Sequence, residues 1–163
     1  MLVFKEATGK TTVKVTDFGY STFTIDEEGS VLLPKSRPWN APEHHFGEFT
    51  ISEAKKTDVY SFGMLCIWVL FGNSLPDVLI TTAEEETKSV SFNAPLGPRT
   101  LLEKLRDEGK VEQIANQLVE LMTGLNTEYK TRLKGFFSLT LQLNPAQRTS
   151  NFEKLVRLLS PNR

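Results

Sequence analysis

The segment KVTDFGYSTF, residues 14–23, places an aspartate at the end of a strand-like run, where its carboxylate could bind a metal–phosphate group. The preceding residues alternate between threonine or lysine on one face and valine on the other, which is the periodicity of a β-strand. An ordinary turn would need only Asp-Gly. Phe18, between Asp17 and Gly19, needs a hydrophobic site, whereas the carboxylate of Asp17 stays free to face a cation.

Length, composition and charge limit the classes of function. The 163 residues suit one domain with a sizeable core. Lys and Arg number 19 against 20 Asp and Glu, so the net charge of −1 provides no field that would attract nucleic acid or an anionic membrane. The single cysteine, Cys66, excludes an internal disulfide and lies in an apolar run, where we expect a core thiol. We therefore expect no nucleic-acid or membrane partner and a cytoplasmic or otherwise intracellular location.

The N-terminal half contains two predicted elements and one long connection. Residues 2–4 and 12–16 are predicted to be the strands of a β-hairpin, with Gly9 in its turn. Residues 20–38 have no sustained periodicity and are rich in hydroxyl side chains, which predicts a long irregular loop that is functional or disordered. The run DVYSFGMLCIWVLFG is apolar nearly all round and predicts a central helix over residues 58–71, buried on every side and ended by Gly72.

The C-terminal half is predicted to be helical after a loop-like insertion over residues 73–99. Thr100 with Glu103, and Ser150 with Glu153, fit the capping-box pattern and predict the starts of two helices. Two further helices are predicted between them, the second of which ends before Asn144-Pro145. The first of these two has an amphipathic stripe formed by Val111, Ile114, Ala115, Leu118, Val119 and Met122. The expected fold is mainly α, a helical bundle around a central buried helix, with a short N-terminal β-hairpin.

Four short motifs follow one another along the chain: DFG at residues 17–19, APE at 41–43, DVYSFG at 58–63, and NPAQRTS, which contains Arg148. Together they resemble the C-terminal lobe of the eukaryotic protein kinases, and the resemblance covers the whole chain. It implies a partial kinase domain over residues 1–163. Within it, the hairpin and DFG occupy residues 1–19, the activation segment residues 20–43, and a helical subdomain residues 44–163. The implied activity is ATP-dependent phosphorylation of protein Ser or Thr, with Tyr as an alternative.

The resemblance also implies roles at the nucleotide. Asp17 would bind the Mg²⁺ that bridges the phosphates of ATP, so ATP and Mg²⁺ are the expected cofactors. Phe18 would pack inward and set the active or inactive state, and Gly19 would permit the turn of the backbone. Leu2 and Thr16 would line the adenine pocket.

The remaining matches are structural or concern the substrate. Glu43 and Arg148 match an ion pair that ties the end of the activation segment to the helical base. Asp58 matches a buried aspartate that accepts hydrogen bonds from the catalytic loop. Ser36 lies where the serine/threonine kinases have a threonine, whereas Trp39 is closer to the tyrosine-kinase-like relatives. Candidate phosphorylation sites by position are Ser21, Thr22 and Thr24.

Several kinase motifs have no counterpart in the sequence. Nothing matches the Gly-rich loop, the strand lysine, its helical glutamate or the His-Arg-Asp catalytic loop, which in the family directly precedes the strand that MLVF resembles. We therefore expect the chain to begin just after the catalytic base, to retain no catalytic residue and to be inactive alone. Two alternatives stay open: the tail of a protein kinase, or a non-catalytic, pseudokinase-like binding or scaffold module. In either case we expect a protein substrate or partner, or self-association through the surface that would face the N-terminal lobe.

Overall fold

The computed structural model describes residues 2–14, 29–45, 47–75 and 97–160. Within these ranges the protein is mainly helical, as the sequence predicts, and has two small antiparallel sheets. The described helices are α1 (Ile51–Phe71), α2 (Pro98–Asp107), α3 (Val111–Leu121), α4 (Thr127–Thr140) and α5 (Phe152–Leu159). None of these helices combines the length and the hydrophobicity that crossing a bilayer requires.

The first sheet is the predicted N-terminal hairpin. Strand β1 (Leu2–Lys5) pairs antiparallel with β2 (Thr11–Lys14), and Lys5 lies opposite Thr11. Gly9 in the connection has a φ of +81°, a left-handed conformation that glycine adopts without strain. The hairpin is therefore confirmed, with β2 beginning at Thr11 rather than at Thr12.

The second sheet was not predicted. Strand β3 (Ser30–Leu32) pairs antiparallel with β4 (Glu48–Thr50), and Val31 lies opposite Phe49. Val31 and Phe49 are both buried, whereas their neighbours along each strand are exposed. Strands of three residues contain too little alternation for the period to be recognised in the sequence.

Helix α1 begins earlier than predicted, at Ile51 rather than at Asp58. Thr50 is its N-cap: the Thr50 hydroxyl accepts a hydrogen bond from the Glu53 amide at 3.3 Å, and the Glu53 carboxylate accepts one from the Thr50 amide at 2.8 Å. This capping box satisfies two backbone donors that the first helical turn leaves free. The polar first turns of α1 hide the helix from a search for apolar residues.

Helix α1 is central, but its burial is incomplete. Val59, Tyr60 and Met64 have no exposed surface, which confirms that the middle of the helix forms the core. In the last turn, however, Val69 is 62% exposed and Leu70 is 43% exposed. The prediction of burial on every side is therefore wrong for this turn, because no element in the described part of the chain covers its outer face.

Two predicted helix starts are also wrong. Helix α2 begins at Pro98 after Gly97, because proline is favoured in the first turn, where its missing N–H is not needed. Helix α5 begins after Asn151, whose side chain accepts a hydrogen bond from the Lys154 amide at 3.0 Å. Asn151 thus replaces Ser150 as the N-cap, and both residue types are good caps.

The amphipathic stripe of α3 is confirmed, since its members from Val111 to Val119 are buried and Met122 packs against the core. Helix α1 meets α4 at Gly63. A Cβ atom at Gly63 would lie 2.6 Å from the Thr140 hydroxyl oxygen, so only glycine allows this approach. The contact between α1 and α4 forms the helical base on which the candidate site is built.

Candidate functional site

Most residues assigned to the nucleotide lie outside the described residues. This is the case for Thr16, Asp17, Phe18 and Gly19. Leu2 is described through its backbone, which pairs with Lys14 in the hairpin. Among the described residues no group of three or more His, Cys, Asp or Glu side chains could hold a metal ion. The ATP and Mg²⁺ roles therefore stay predictions. The candidate phosphorylation sites Ser21, Thr22 and Thr24 also lie outside the described residues.

The predicted contact between Glu43 and Arg148 is present. The Arg148 guanidinium donates two hydrogen bonds to the Glu43 carboxylate, from Nη1 to Oε1 at 2.5 Å and from Nη2 to Oε2 at 2.9 Å. The Arg148 side chain is 0% exposed and the Glu43 side chain 14% exposed. Two parallel bonds between charged groups fix both distance and orientation, so this pair joins two segments that lie 105 positions apart.

Arg148 has further partners that satisfy its buried charge. Its guanidinium donates to the carbonyl oxygens of Gln142 at 2.6 Å, Leu143 at 3.1 Å and Lys56 at 3.4 Å. The guanidinium carbon also lies 4.7 Å from the centre of the Tyr60 ring, a cation–π distance. A charge removed from water needs such partners, and these connect the end of α4 with α1.

Local structure positions both members of the pair. Glu43 lies in a short 3-10 helix, Pro42–His45, next to Ala41, which is fully buried. His44 is also buried, and its Nε2 lies 2.9 Å from the Leu33 carbonyl oxygen, which requires the tautomer with the proton on Nε2. On the other side, Arg148 follows a second 3-10 helix, Pro145–Gln147.

A second buried arginine was not predicted. Arg106 on α2 is 2% exposed and donates a hydrogen bond to the Asn40 side-chain oxygen at 3.0 Å. It also contacts the Pro38 carbonyl oxygen at 3.5 Å and pairs with the Asp107 carboxylate at 2.6 Å. Arg106 follows Leu102 by one helical turn, so it belongs to the buried face of α2. This spacing is the signal that could have revealed it.

The segment before Glu43 is thus held on the helical base at several points. The Trp39 ring meets the Trp68 ring of α1 edge to face, with centroids 5.7 Å apart. Ser36, the predicted substrate-side residue, is exposed, and its carbonyl oxygen accepts hydrogen bonds from the amides of Trp39 at 2.8 Å and Asn40 at 3.1 Å. Ser36 and Glu43 therefore lie in one anchored segment, Ser36 in its turn and Glu43 in the 3-10 helix that follows.

The prediction for Asp58 is wrong in one respect. Asp58 was expected to be buried, but it is an exposed residue of α1, whereas Val59 and Tyr60, which follow it, fill the core. Its carboxyl group is nevertheless partly desolvated, and this desolvation raises the pKa of Asp58 above its ordinary value. No hydrogen bond or ion pair joins its carboxylate to another described residue.

Burial determines the direction of the pKa shift for two further titratable side chains of α1, Cys66 and Tyr60. Burial raises the pKa of the Cys66 thiol to about 11, which keeps it protonated and matches the expected core thiol. Burial also raises the pKa of Tyr60 well above its usual range, and the nearby Arg148 only partly opposes this shift. Neither side chain is suited to act as a nucleophile or a base.

In comparisons with models of protein families, with curated proteins and with solved structures, nothing matches this chain. The kinase interpretation consequently depends on the order of the sequence motifs and on the contacts described above. Among those contacts, the pair of Glu43 and Arg148 is the one that the motifs specify in advance.

Proposed function

We propose that this chain is the C-terminal part of a protein kinase domain whose activity is ATP-dependent phosphorylation of protein Ser or Thr, with Tyr as an alternative. The observation that carries the proposal is the buried pair of Glu43 and Arg148. These residues belong to APE and NPAQRTS, two motifs selected for their order in the sequence alone. A chance occurrence of both motifs gives no reason for the two side chains to meet across 105 positions.

In the proposed domain, each part of the chain has a separate task. Glu43 and Arg148 fix the end of the activation segment on the helical base, and Arg106 supports the same segment through Asn40. Asp17 is the residue that would hold Mg²⁺, and Leu2 would contribute to one wall of the adenine pocket. Bound ATP and Mg²⁺ would supply the phosphoryl group and neutralise its charge.

The chain alone is proposed to be inactive. Phosphoryl transfer depends mainly on charges positioned around the phosphates, and Asp17 is the only such charge that the sequence matches. A missing catalytic base lowers the rate by about 10²–10⁴-fold. An adenine wall without an opposing lobe would also leave most of a nucleotide in water, whereas ligand pockets bury most of their ligand.

A non-catalytic binding module is the second candidate, and a specific observation favours it. Several large apolar side chains are exposed on α1 and α5, and they would form a binding surface if a partner protein covered them. The exposed fractions are 62% for Val69, 43% for Leu70, 42% for Phe152 and 55% for Val156. In this candidate the helical faces bind a protein partner and the nucleotide residues have no role.

Sequencing the transcript upstream of the Met1 codon separates the two candidates. An in-frame His-Arg-Asp catalytic loop and Gly-rich loop are expected if the chain is the tail of a kinase. A stop codon directly upstream would instead favour the binding module. Calorimetric titration of the chain with Mg-ATP adds a second criterion: we expect no binding in the low micromolar range, and tight binding with phosphate transfer would contradict the predicted inactivity of the chain alone.

A further inference from the structure

Two cationic residues, Arg37 and Arg99, meet on the surface near Ser36, and a third, Lys35, lies two residues before Arg37; we call these three residues the basic cluster. All three are exposed. The Arg99 guanidinium donates a hydrogen bond to the Arg37 carbonyl oxygen at 2.8 Å, so two segments 62 positions apart meet here. The Arg37 guanidinium pairs with the Glu103 carboxylate at 2.8 Å. Lys35 and Arg99 contact no carboxylate among the described residues.

The backbone that carries the cluster is fixed from below. Arg106 is buried beneath it and donates hydrogen bonds to Asn40 and to the Pro38 carbonyl oxygen. Hydrogen bonds from the amides of Trp39 and Asn40 to the Ser36 carbonyl oxygen close the turn. A ligand that meets an ordered turn loses less conformational entropy on binding than one that must order a loop.

We infer that the basic cluster binds an acidic segment of a partner protein through its Asp or Glu carboxylates. The Arg37–Glu103 pair demonstrates that a carboxylate fits against this surface at hydrogen-bonding distance. Arg99 and Lys35 offer further N–H donors for a second and a third carboxylate, and a guanidinium can bind a carboxylate with two parallel hydrogen bonds. Of the three cations in the cluster, Arg37 already pairs with a carboxylate, that of Glu103.

The same features argue against an anionic membrane or a nucleic acid as the ligand. Such polyanions are bound through many cations spread over a wide surface. Here Glu103 and Asp107 lie beside the cations, and the Asp107 side chain is 53% exposed. A peptide can place single carboxylates between these acidic side chains, whereas a continuous row of phosphates cannot avoid them.

The test measures binding of fluorescein-labelled peptides to the full chain by fluorescence anisotropy at low ionic strength, without nucleotide. The acidic peptide alternates aspartate and glycine, and the control peptide has asparagine in place of each aspartate. We expect only the acidic peptide to bind. Exposed charge pairs contribute modestly, so Lys35→Gln with Arg99→Gln should weaken binding roughly 2- to 30-fold. The double variant Lys154→Gln and Arg157→Gln on α5 is the matched control and should leave the affinity unchanged.

A third variant gives an expected gain. Glu103→Gln removes the carboxylate that occupies Arg37, so it should strengthen binding of the acidic peptide, and added salt should reduce this gain. Circular dichroism of each variant verifies that it is folded.

Equal binding of the two peptides, or equal losses in both double variants, would overturn the inference. It would also be overturned if vesicles of phosphatidylserine and phosphatidylcholine, or duplex DNA, bound the cluster and the acidic peptide did not. The assay contains no ATP, so its result is independent of the proposed kinase function.

Discussion

Replacing Arg148 with methionine removes a guanidinium from a fully buried site and leaves its acceptors without a donor. The structure gives this guanidinium two hydrogen bonds to the Glu43 carboxylate and three to the carbonyl oxygens of Gln142, Leu143 and Lys56. Removing one partner of a buried pair costs about 3–5 kcal/mol, because the remaining charge is unpaired. We expect Arg148→Met to fall in this range, since the Glu43 carboxylate, which is only 14% exposed, would lose its buried counter-ion.

Replacing the other member of the pair, in Glu43→Gln, should cost less stability than Arg148→Met does. In Glu43→Gln the side-chain amide oxygen can still accept a hydrogen bond, and Arg148 keeps its carbonyl acceptors and the Tyr60 ring. Loss of the charge-assisted component corresponds to about 1.5–3 kcal/mol. The two substitutions share one interaction, so the double variant should be more stable than the sum of the single losses implies, by about 1–3 kcal/mol.

Urea denaturation followed by circular dichroism measures these differences as changes in midpoint and slope. Arg148→Lys is a useful third variant because it keeps the charge and loses the two parallel hydrogen bonds, so its stability should lie between those of the wild type and Arg148→Met. Additivity within about 0.5 kcal/mol would refute the reasoning, because it would mean that the two side chains do not interact.

Four further substitutions test other parts of the account. Gly63→Ala should destabilise the fold by about 1–3 kcal/mol, because the new Cβ would lie 2.6 Å from Thr140. Gly135→Ala is the control: its Cβ would meet no atom within 4 Å, so the substitution should stabilise α4 by about 0.5–1 kcal/mol. Equal shifts of the melting temperature in the two variants would contradict this expectation. Desolvation raises the pKa of Asp58 above its ordinary value, so the folded state binds the proton more tightly than the unfolded state does. The folded state therefore loses stability as the pH rises from the unfolded pKa through the folded pKa. Asp58→Asn should therefore raise the melting temperature near neutral pH, and the gain in the free energy of unfolding should be less than about 1 kcal/mol because the residue is exposed. Below the pKa of the unfolded state the substitution should give no gain. An unchanged or lower melting temperature near neutral pH would contradict this expectation. Arg106→Met should lower the free energy of unfolding by about 1.5–3 kcal/mol and should speed the hydrogen exchange of the backbone amides at residues 39–40. Unaltered hydrogen exchange at these residues would show that Arg106 does not hold this segment.

Periodicity explains which parts of the fold could be predicted. The stripe of α3 repeats over three turns, and the hairpin has alternating strands around a glycine turn, so both were predicted from sequence. Helix ends were predicted poorly, because Asn151 and Ser150 are neighbouring residues that can both serve as an N-cap. The second sheet escaped prediction because its pairing depends on contacts between residues that are distant in sequence.

The candidate site divides in a similar way. The contact of Glu43 with Arg148 was predicted from the family resemblance, and no local pattern links residues that are 105 positions apart. Arg106 was missed because a charged residue in a polar helix is usually solvated, and its burial depends on where Asn40 comes to lie. The exposure of Asp58 was mispredicted because the expectation was carried over from kinases whose catalytic loop covers that position.

Phosphate transfer by a completed domain tests the central claim most directly. In the fusion protein, the N-terminal lobe and catalytic loop of a characterised protein kinase precede Leu2, and incorporation of radiolabelled phosphate into a generic protein substrate is measured. If the chain is a kinase C-terminal lobe, the fusion should transfer phosphate, and Asp17→Asn in the same fusion should abolish transfer while leaving the melting temperature nearly unchanged. A folded fusion that transfers no phosphate, or one whose activity is indifferent to Asp17→Asn, would contradict the account.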